Sequence, residues 1–175
     1  MITLKSKSTS RFTGELRNLA KSLGSKLPED LTMRLYQPDE ENARQRVILV
    51  TTVDQDGWPR HLMLSHYEVV AKDQSHMLLL TYADSKSTKN LLRTGMATLI
   101  FLDEEMSYFV RVKCRQTDKK IEEAPNEVLF NAEVIDVLED KYPTTKITSG
   151  IRFTGFDPGM SEENRKRVFQ RLVEL

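Results

Sequence analysis

Five strand signals lie close together between residues 47 and 115, and this density constrains the fold more than any other feature of the chain. Residues 47–53 form a β-branched run that stops at residues 54–57, Asp-Gln-Asp-Gly, which have the composition of a hairpin turn. Apolar runs at 59–70 and 76–82 follow, with a short polar segment between them. Three strands connected by such short segments predict an antiparallel meander.

A short helix signal interrupts the strands at residues 84–95. Ser85 is suited to the N-cap position, and Gly95 is suited to the residue that ends a helix. The apolar side chains of this segment share one face, while Lys86, Lys89 and Arg93 share another. The segment therefore predicts an amphipathic helix of two to three turns with a cationic face.

Strand signals resume at residues 96–102 and 108–115, on either side of an acidic turn. The second run alternates strictly, with Val110, Val112 and Cys114 on one face and basic residues on the other. Period two predicts a strand with one buried face. We therefore expect Cys114 to be a small core residue rather than a nucleophile.

Two helices are predicted before the strand-rich block. Apolar residues repeat at helical spacing between Phe12 and Leu23, and a second helix can begin at Pro28. We expect both helices to cover an open end of the sheet.

The residues after the block predict two more strands and a helix. Residues 116–126 are expected to be a polar loop or an extended hairpin tip without a core signal, and residues 130–138 a sixth strand. Residues 146–153 predict a seventh strand or a strand-like segment, in which Gly150 indicates a bulge or a close backbone approach. A C-terminal helix is expected at 161–175, with carboxylates in its first turn.

These elements predict a mainly β protein with helices, of the α+β class. Six to seven antiparallel strands favour a small closed or partly closed barrel with helical covers at the N- and C-termini. We expect one domain over residues 1–175: a helical extension at 1–26, the barrel at 27–155 and the helix at 161–175.

Charge and composition exclude several classes of partner. The chain has 26 Lys and Arg residues against 26 Asp and Glu residues, so no overall field favours nucleic acid or an anionic membrane. No apolar stretch approaches the roughly 20 residues of a membrane span, and the N-terminus has no signal-peptide pattern. With a single cysteine, the expectation is a soluble cytoplasmic protein that acts on a small molecule.

The start of the basic helix is the strongest candidate site. Its N-H groups could bind a phosphate together with the hydroxyls of Ser85, Ser87 and Thr88 and the ammonium groups of Lys86 and Lys89. Arg60 could add a further contact. A solvated basic face explains the same pattern and is the more frequent case. No metal site is expected, because His61 and His66 are an odd number of residues apart on a predicted strand, which places their rings on opposite faces.

Two segments of the chain resemble a known family. Residues 51–61, with the Asp-x-Asp-Gly turn, and residues 80–91, with Ser-Lys-x-x-Lys-Asn-Leu, are similar to the FMN-binding split-barrel family related to pyridoxamine 5′-phosphate oxidase. The resemblance implies a split β-barrel. It also implies FMN in a groove between the two protomers of a homodimer.

The resemblance assigns the cofactor contacts to matching positions of this chain. They are Arg60, His61, Leu62, Met63 and Leu64 along the ring and ribityl chain, Thr81 and Tyr82 near the ribityl phosphate, Ser85, Lys86, Ser87 and Lys89 around the phosphate, and Phe109 from the partner protomer. No residue is assigned a catalytic role.

Three departures from the family pattern affect the expected function. Ser87 stands where many members have a second basic residue, and Phe109 stands where the oxidases have Gln. The C-terminal Trp and Arg-x-His signature of the oxidases is absent, which argues against pyridoxamine phosphate as the substrate.

The implied activity is that of a flavin-dependent oxidoreductase. It would move electrons from a reduced donor, such as a nicotinamide, to a small acceptor or oxygen. The alternative is a non-catalytic, stress-related module that holds a flavin, deazaflavin or haem. The sequence does not distinguish FMN from a deazaflavin, since both present a phosphate and a tricyclic ring.

Overall fold

The computed structural model describes residues 20–37, 46–141, 145–154 and 161–175. Within them the chain forms eight strands and three helices. The strands are β1 (Ala20–Ser22), β2 (Ile48–Val53), β3 (Pro59–Leu64), β4 (Val69–Ala71), β5 (His76–Tyr82), β6 (Met96–Asp103), β7 (Met106–Gln116) and β8 (Glu127–Asp140). The helices are α1 (Glu29–Tyr36), α2 (Lys86–Thr94) and α3 (Glu162–Glu174).

All strands belong to one antiparallel sheet with the order β3-β2-β6-β7-β8-β5-β4. The short β1 pairs with the C-terminal half of β8, beyond the stretch that β5 occupies. The sheet curls, so that Leu64 of β3 and Val69 of β4, from its two ends, reach the same core. The predicted α+β class and antiparallel split barrel are confirmed.

The core lies between the concave face of the sheet and α1. Leu31 and Leu35 form the apolar side of α1, and together with Leu27, just before the helix, they are buried against the strands. Val110, Val112 and Cys114 of β7 point into this core, as their alternation predicts.

A second apolar cluster covers the opposite face of the sheet at β4, β5 and β8. Val168 and Leu172 of α3 pack there on Leu78 and Leu80 of β5. Since Met77 and Leu79 face the main core, β5 is buried on both faces. This explains why its sequence is a continuous apolar run rather than an alternating one.

Several local predictions are confirmed in detail. Strand β5 occupies the predicted residues, and α2 begins after an N-cap at Ser85. Gly95 ends α2 in the left-handed region, with φ of 62°. Gly150 marks a close backbone approach, because a Cβ at that position would overlap the carbonyl oxygen of Leu102.

The strand predicted at 59–70 is wrong as a single element. It divides into β3 and β4 at a turn over residues 65–68. The Glu68 carboxylate accepts hydrogen bonds from the N-H (2.6 Å) and hydroxyl (2.8 Å) of Ser65, and the Glu68 N-H donates to the Ser65 carbonyl. These bonds close the turn, and the β propensity of the flanking residues does not reveal them.

Three other predictions need correction. Residues 20–22 of the predicted N-terminal helix form β1, because their backbone pairs with β8; the rest of that helix lies outside the described residues. Residues 146–153 form no strand and make one isolated bridge, between Arg46 and Arg152. The loop at 116–126 does have core residues, since Ile121 and Ala124 pack beneath α3.

Candidate functional site

The N-terminus of α2 is fixed by a chain of hydroxyl groups. The Ser85 hydroxyl accepts a hydrogen bond from the Thr88 N-H (3.0 Å). The Thr88 hydroxyl is fully buried, donates to the Tyr82 carbonyl (2.6 Å) and lies within hydrogen-bond distance of the Thr81 hydroxyl (2.8 Å). The end of β5 and the start of α2 are therefore joined rigidly.

This capping leaves a defined set of donors for a ligand. The Thr88 and Lys89 N-H groups bond to Ser85, so the N-H groups of Lys86 and Ser87 are the ones left to solvent or a ligand. The side chains of Lys86 and Lys89 are exposed. The Ser87 side chain is buried, and the Ser85 hydroxyl is engaged in the cap. The cationic groups and the backbone, more than the hydroxyls, are available to an anion.

A carboxylate connects α2 to the β2–β3 hairpin. Asp54 accepts hydrogen bonds from Arg60 Nε (2.8 and 3.1 Å) and from Asn90 Nδ2 (2.7 Å). Asn90 Nδ2 also contacts the hydroxyl of Thr52 (3.1 Å). The Arg60 hydrogen bond, followed by that of Asn90, lowers the pKa of Asp54 to about 2. Asp54 is therefore ionised at neutral pH.

A polar cavity of about 260 Å³ lies between this hairpin and α2. Lys86, Lys89 and Arg93 line it from the helix, and residues 54–56 line it from the turn. Arg93 donates to the Val53 carbonyl, which ties the helix to the end of β2. The structure thus brings Lys86 and Lys89 to one cavity. Arg60 is not among the residues that line this cavity and is linked to it through Asp54.

The predicted ring-binding residues lie on β3, which stands at one end of the sheet order. Arg60, Leu62 and Leu64 alternate with His61 and Met63. Leu64 is in the core, whereas Met63 is 69% exposed on the outer face. His61 Nδ1 lies 2.9 Å from the hydroxyl of Thr51 on the adjacent strand.

Phe109 lies apart from this cluster within one chain. It is on the outer face of β7, three strands from β3, which corresponds to roughly 14 Å at about 4.8 Å per strand. It also lines a separate cavity of about 540 Å³ at the β6–β7 hairpin. Phe109 is not among the residues that line the cavity at α2.

Phe109 and Met63 do share one feature, an apolar row across the outer face of the sheet. The residues of this outer row are direct cross-strand neighbours, and they are Met63, Leu49, Ile100, Phe109 and Leu138. The next row contains Thr51, Thr98, Arg111 and Asp136 and is polar. The outer row is therefore an apolar stripe with a polar row along one side.

Sequence reasoning missed the roles of Asp54 and Asn90. Asp54 is easily taken as a turn residue only, and Asn90 as part of a helical motif. The available signal was the position of Asp54 and Arg60 on the two arms of one hairpin, where opposite charges can pair.

Comparison with known proteins agrees with this architecture. No protein-family model matches the chain. YclD of Bacillus subtilis, an uncharacterised protein, is 25% identical over 132 residues, which is 75% of this chain and 84% of YclD. The crystal structure of a candidate pyridoxamine 5′-phosphate oxidase from Lactobacillus delbrueckii superposes with a TM-score of 0.53 at 20% identity, covering 67% of this chain and 98% of its own. This chain has the pyridoxamine 5′-phosphate oxidase-like split-barrel fold.

The same split barrel occurs in HupZ of Group A Streptococcus. That structure superposes with a TM-score of 0.50 at 13% identity and covers 73% of this chain and 100% of its own. The split-barrel resemblance seen in residues 51–61 and 80–91 is confirmed for the fold. Across the described residues, none of the helices of this split barrel is both long and apolar enough to cross a lipid bilayer.

Proposed function

We propose that this chain binds FMN, with the phosphate at the N-terminus of α2. The observation that carries the proposal is that Lys86 and Lys89 line one cavity at the start of a capped helix, to which Arg60 is linked through Asp54. Free N-H groups and cations at a helix start favour a phosphate group through hydrogen bonds and the helix dipole. The donor set of this chain therefore fits the charged end of a flavin nucleotide.

The end of β5 and the free edge of β3 are the remaining assigned parts that suit the ribityl chain and ring. Thr81 and Tyr82 end β5 shortly before the helix cap, and of the two side chains Thr81 is buried and Tyr82 is exposed. Among the described strands β3 pairs only with β2, so along its other edge backbone N-H and C=O groups are not used by the sheet. We infer that this edge, at residues 61–64, contacts the polar rim of the ring through its backbone.

We propose that two copies of the chain pair through the outer row. An exposed apolar side chain such as Met63, at one end of an apolar stripe that runs beside a polar row, is typical of protein interfaces. Phe109 lies in the same row, so pairing would carry the Phe109 of one protomer toward the β3 of the other. Such a homodimer would complete the flavin site.

The proposed activity is a flavin-dependent oxidoreductase reaction between a reduced donor and a small acceptor or oxygen. FMN, when bound, supplies the hydride and electron transfer. The chain contributes position and electrostatics: cations hold the phosphate, and apolar side chains of the outer row exclude water from the ring.

The test is the visible absorption spectrum of the purified protein after addition of FMN and desalting. We expect a retained flavin spectrum at about one flavin per chain, and its loss in a Lys86→Ala, Arg60→Ala double variant. A Lys26→Ala, Lys120→Ala variant is the control, because it removes two cations from exposed positions elsewhere. Unchanged FMN affinity in the first variant would contradict the phosphate site.

The second candidate function is a module that binds a flavin or other planar ligand without turnover. It is favoured by the burial of Ser87 and the engagement of Ser85 in the cap, which leave fewer donors for the phosphate. Anaerobic mixing of the FMN-loaded protein with NADH or NADPH separates the two. Flavin reduction supports the enzyme, whereas retained but unreduced flavin favours the binding module.

A further inference from the structure

We propose that Asp54 is a positioning residue for the phosphate site, which fixes the Arg60 guanidinium so that its terminal nitrogens are presented to the ligand. This inference rests on the proposed FMN function and adds a residue to it. Asp54 itself would not touch the cofactor.

The hydrogen-bond pattern of Arg60 is the first argument. A guanidinium has five N-H donors, one on Nε and four on the two terminal nitrogens. Asp54 engages Nε alone, at 2.8 and 3.1 Å to its two oxygens. In the described part of the chain the terminal nitrogens have no hydrogen-bond partner, so the fork that binds phosphate in a bidentate manner is left available.

The rigidity of Asp54 is the second argument. Its carboxylate is anchored by Asn90, whose own side chain is buried. Its backbone is fixed in the hairpin turn, where its N-H donates to the Trp58 carbonyl (2.8 Å) and its carbonyl accepts from the Gly57 N-H (3.0 Å). Because both the backbone and the carboxylate of Asp54 are fixed, Asp54 can restrict the rotamers of Arg60. Arg60 then loses less conformational entropy when it binds a ligand.

The charge of Asp54 makes the inference testable. When Asp54 is neutralised, positioning and simple electrostatics predict opposite changes in the affinity for FMN. A carboxylate close to Lys86 repels a phosphate, so its neutralisation alone should tighten FMN binding. If Asp54 positions Arg60, its neutralisation should weaken FMN binding despite the lost repulsion.

The experiment measures dissociation constants for FMN and riboflavin by flavin fluorescence in wild type, Asp54→Asn and Asp56→Asn. Riboflavin has the ring and ribityl chain of FMN but no phosphate. We expect Asp54→Asn to weaken FMN binding about tenfold and to change riboflavin binding less than twofold. Asp56 lines the same cavity, and its side chain has no hydrogen-bond partner among the described residues. Asp56→Asn should therefore leave FMN binding equal or tighter.

Each contrary result has a distinct meaning. Tighter FMN binding in Asp54→Asn would overturn positioning and leave a charge effect only. Equal weakening of FMN and riboflavin would also overturn it, because a general structural role acts on both ligands. Failure of wild type to bind FMN while binding riboflavin, or failure to bind either, would overturn the proposed function itself.

A second variant guards against misfolding of Asp54→Asn. Asp54→Glu keeps the charge and moves the carboxylate by one methylene group. Positioning predicts weaker binding of FMN with unchanged riboflavin binding, whereas unchanged FMN binding would show that only the charge matters. Circular dichroism of each variant verifies that the fold is retained.

Discussion

Thr88 is the residue on which the geometry of the α2 N-terminus depends most directly. Its hydroxyl lies within 2.8 Å of the Ser85 and Thr81 hydroxyls and 2.6 Å of the Tyr82 carbonyl, and it is fully buried. Its N-H completes the helix cap. One side chain therefore connects the last residues of β5 with the first turn of α2.

Substitution of Thr88 by Val should destabilise the protein by about 1–3 kcal/mol, because buried polar groups lose their partner while the side-chain volume is kept. Urea unfolding measures this change as a shift of the midpoint at constant slope. Thr98→Val is the control, since Thr98 is half-buried and makes no side-chain hydrogen bond to a described residue. A loss below about 0.5 kcal/mol in Thr88→Val would show that the hydroxyl network is not significant for stability.

Among the helices and strands, those determined by residues close together in the sequence were predictable, and those that depend on distant residues were not. Ser85 and Gly95 bracket α2 as predicted, because capping depends on residues within one turn. β5 and β7 were predictable from residue pattern alone. The association of Asp54, Arg60 and Asn90 was not, because it needs a hairpin and a helix to meet in the folded sheet. β1 exists only through its pairing with β8, more than 100 residues away, so its own three residues give no strand signal.

The carboxyl group of Glu127 lies in an unusual environment near the ion pair that attaches α3 to the rest of the protein. Arg165 of α3 pairs with Glu68 at 2.9 Å, and both side chains are nearly buried. Glu127 lies close to this pair, and one of its carboxyl oxygens is buried without a hydrogen-bond partner in the described chain. Burial, and then the charge of Glu68, raises the pKa of Glu127 from 4.5 to about 7, which Arg165 partly offsets.

The raised pKa predicts that packing of α3 weakens as pH rises. The folded protein binds this proton more tightly than the unfolded chain does, so its contribution is fully present below about pH 4.5 and is lost as pH rises through 7. Hydrogen exchange of α3 amides, corrected for intrinsic rates, should show less protection at pH 8 than at pH 5. Glu127→Gln should abolish the difference, and Glu122→Gln, at an exposed position, should retain it. Equal pH dependence in wild type and Glu127→Gln would refute this assignment.

At the scale of the whole molecule, the outer row predicts the state of association. We expect the wild type to sediment at about twice the 20.2 kDa of the chain, and Met63→Glu to sediment as a monomer, because a charge in an apolar interface is costly to desolvate. Met33→Glu is the matched control: Met33 is also an exposed methionine, at 52%, but it lies on α1 away from the row. A monomeric wild type would exclude this interface. Dissociation by Met33→Glu but not by Met63→Glu would show that the interface includes α1 instead.

The two terminal strands of the sheet order, β3 and β4, are consecutive in the chain and are joined only by the turn at residues 65–68. Among the described residues β3 and β4 are not paired with each other, so the sheet does not close by hydrogen bonds, although the turn connects these two strands directly. Any motion that separates β3 from β4 must bend this turn. Glu68, at the end of the turn, forms an ion pair with Arg165 of α3. We therefore expect the attachment of α3 to limit how far the turn between β3 and β4 can bend.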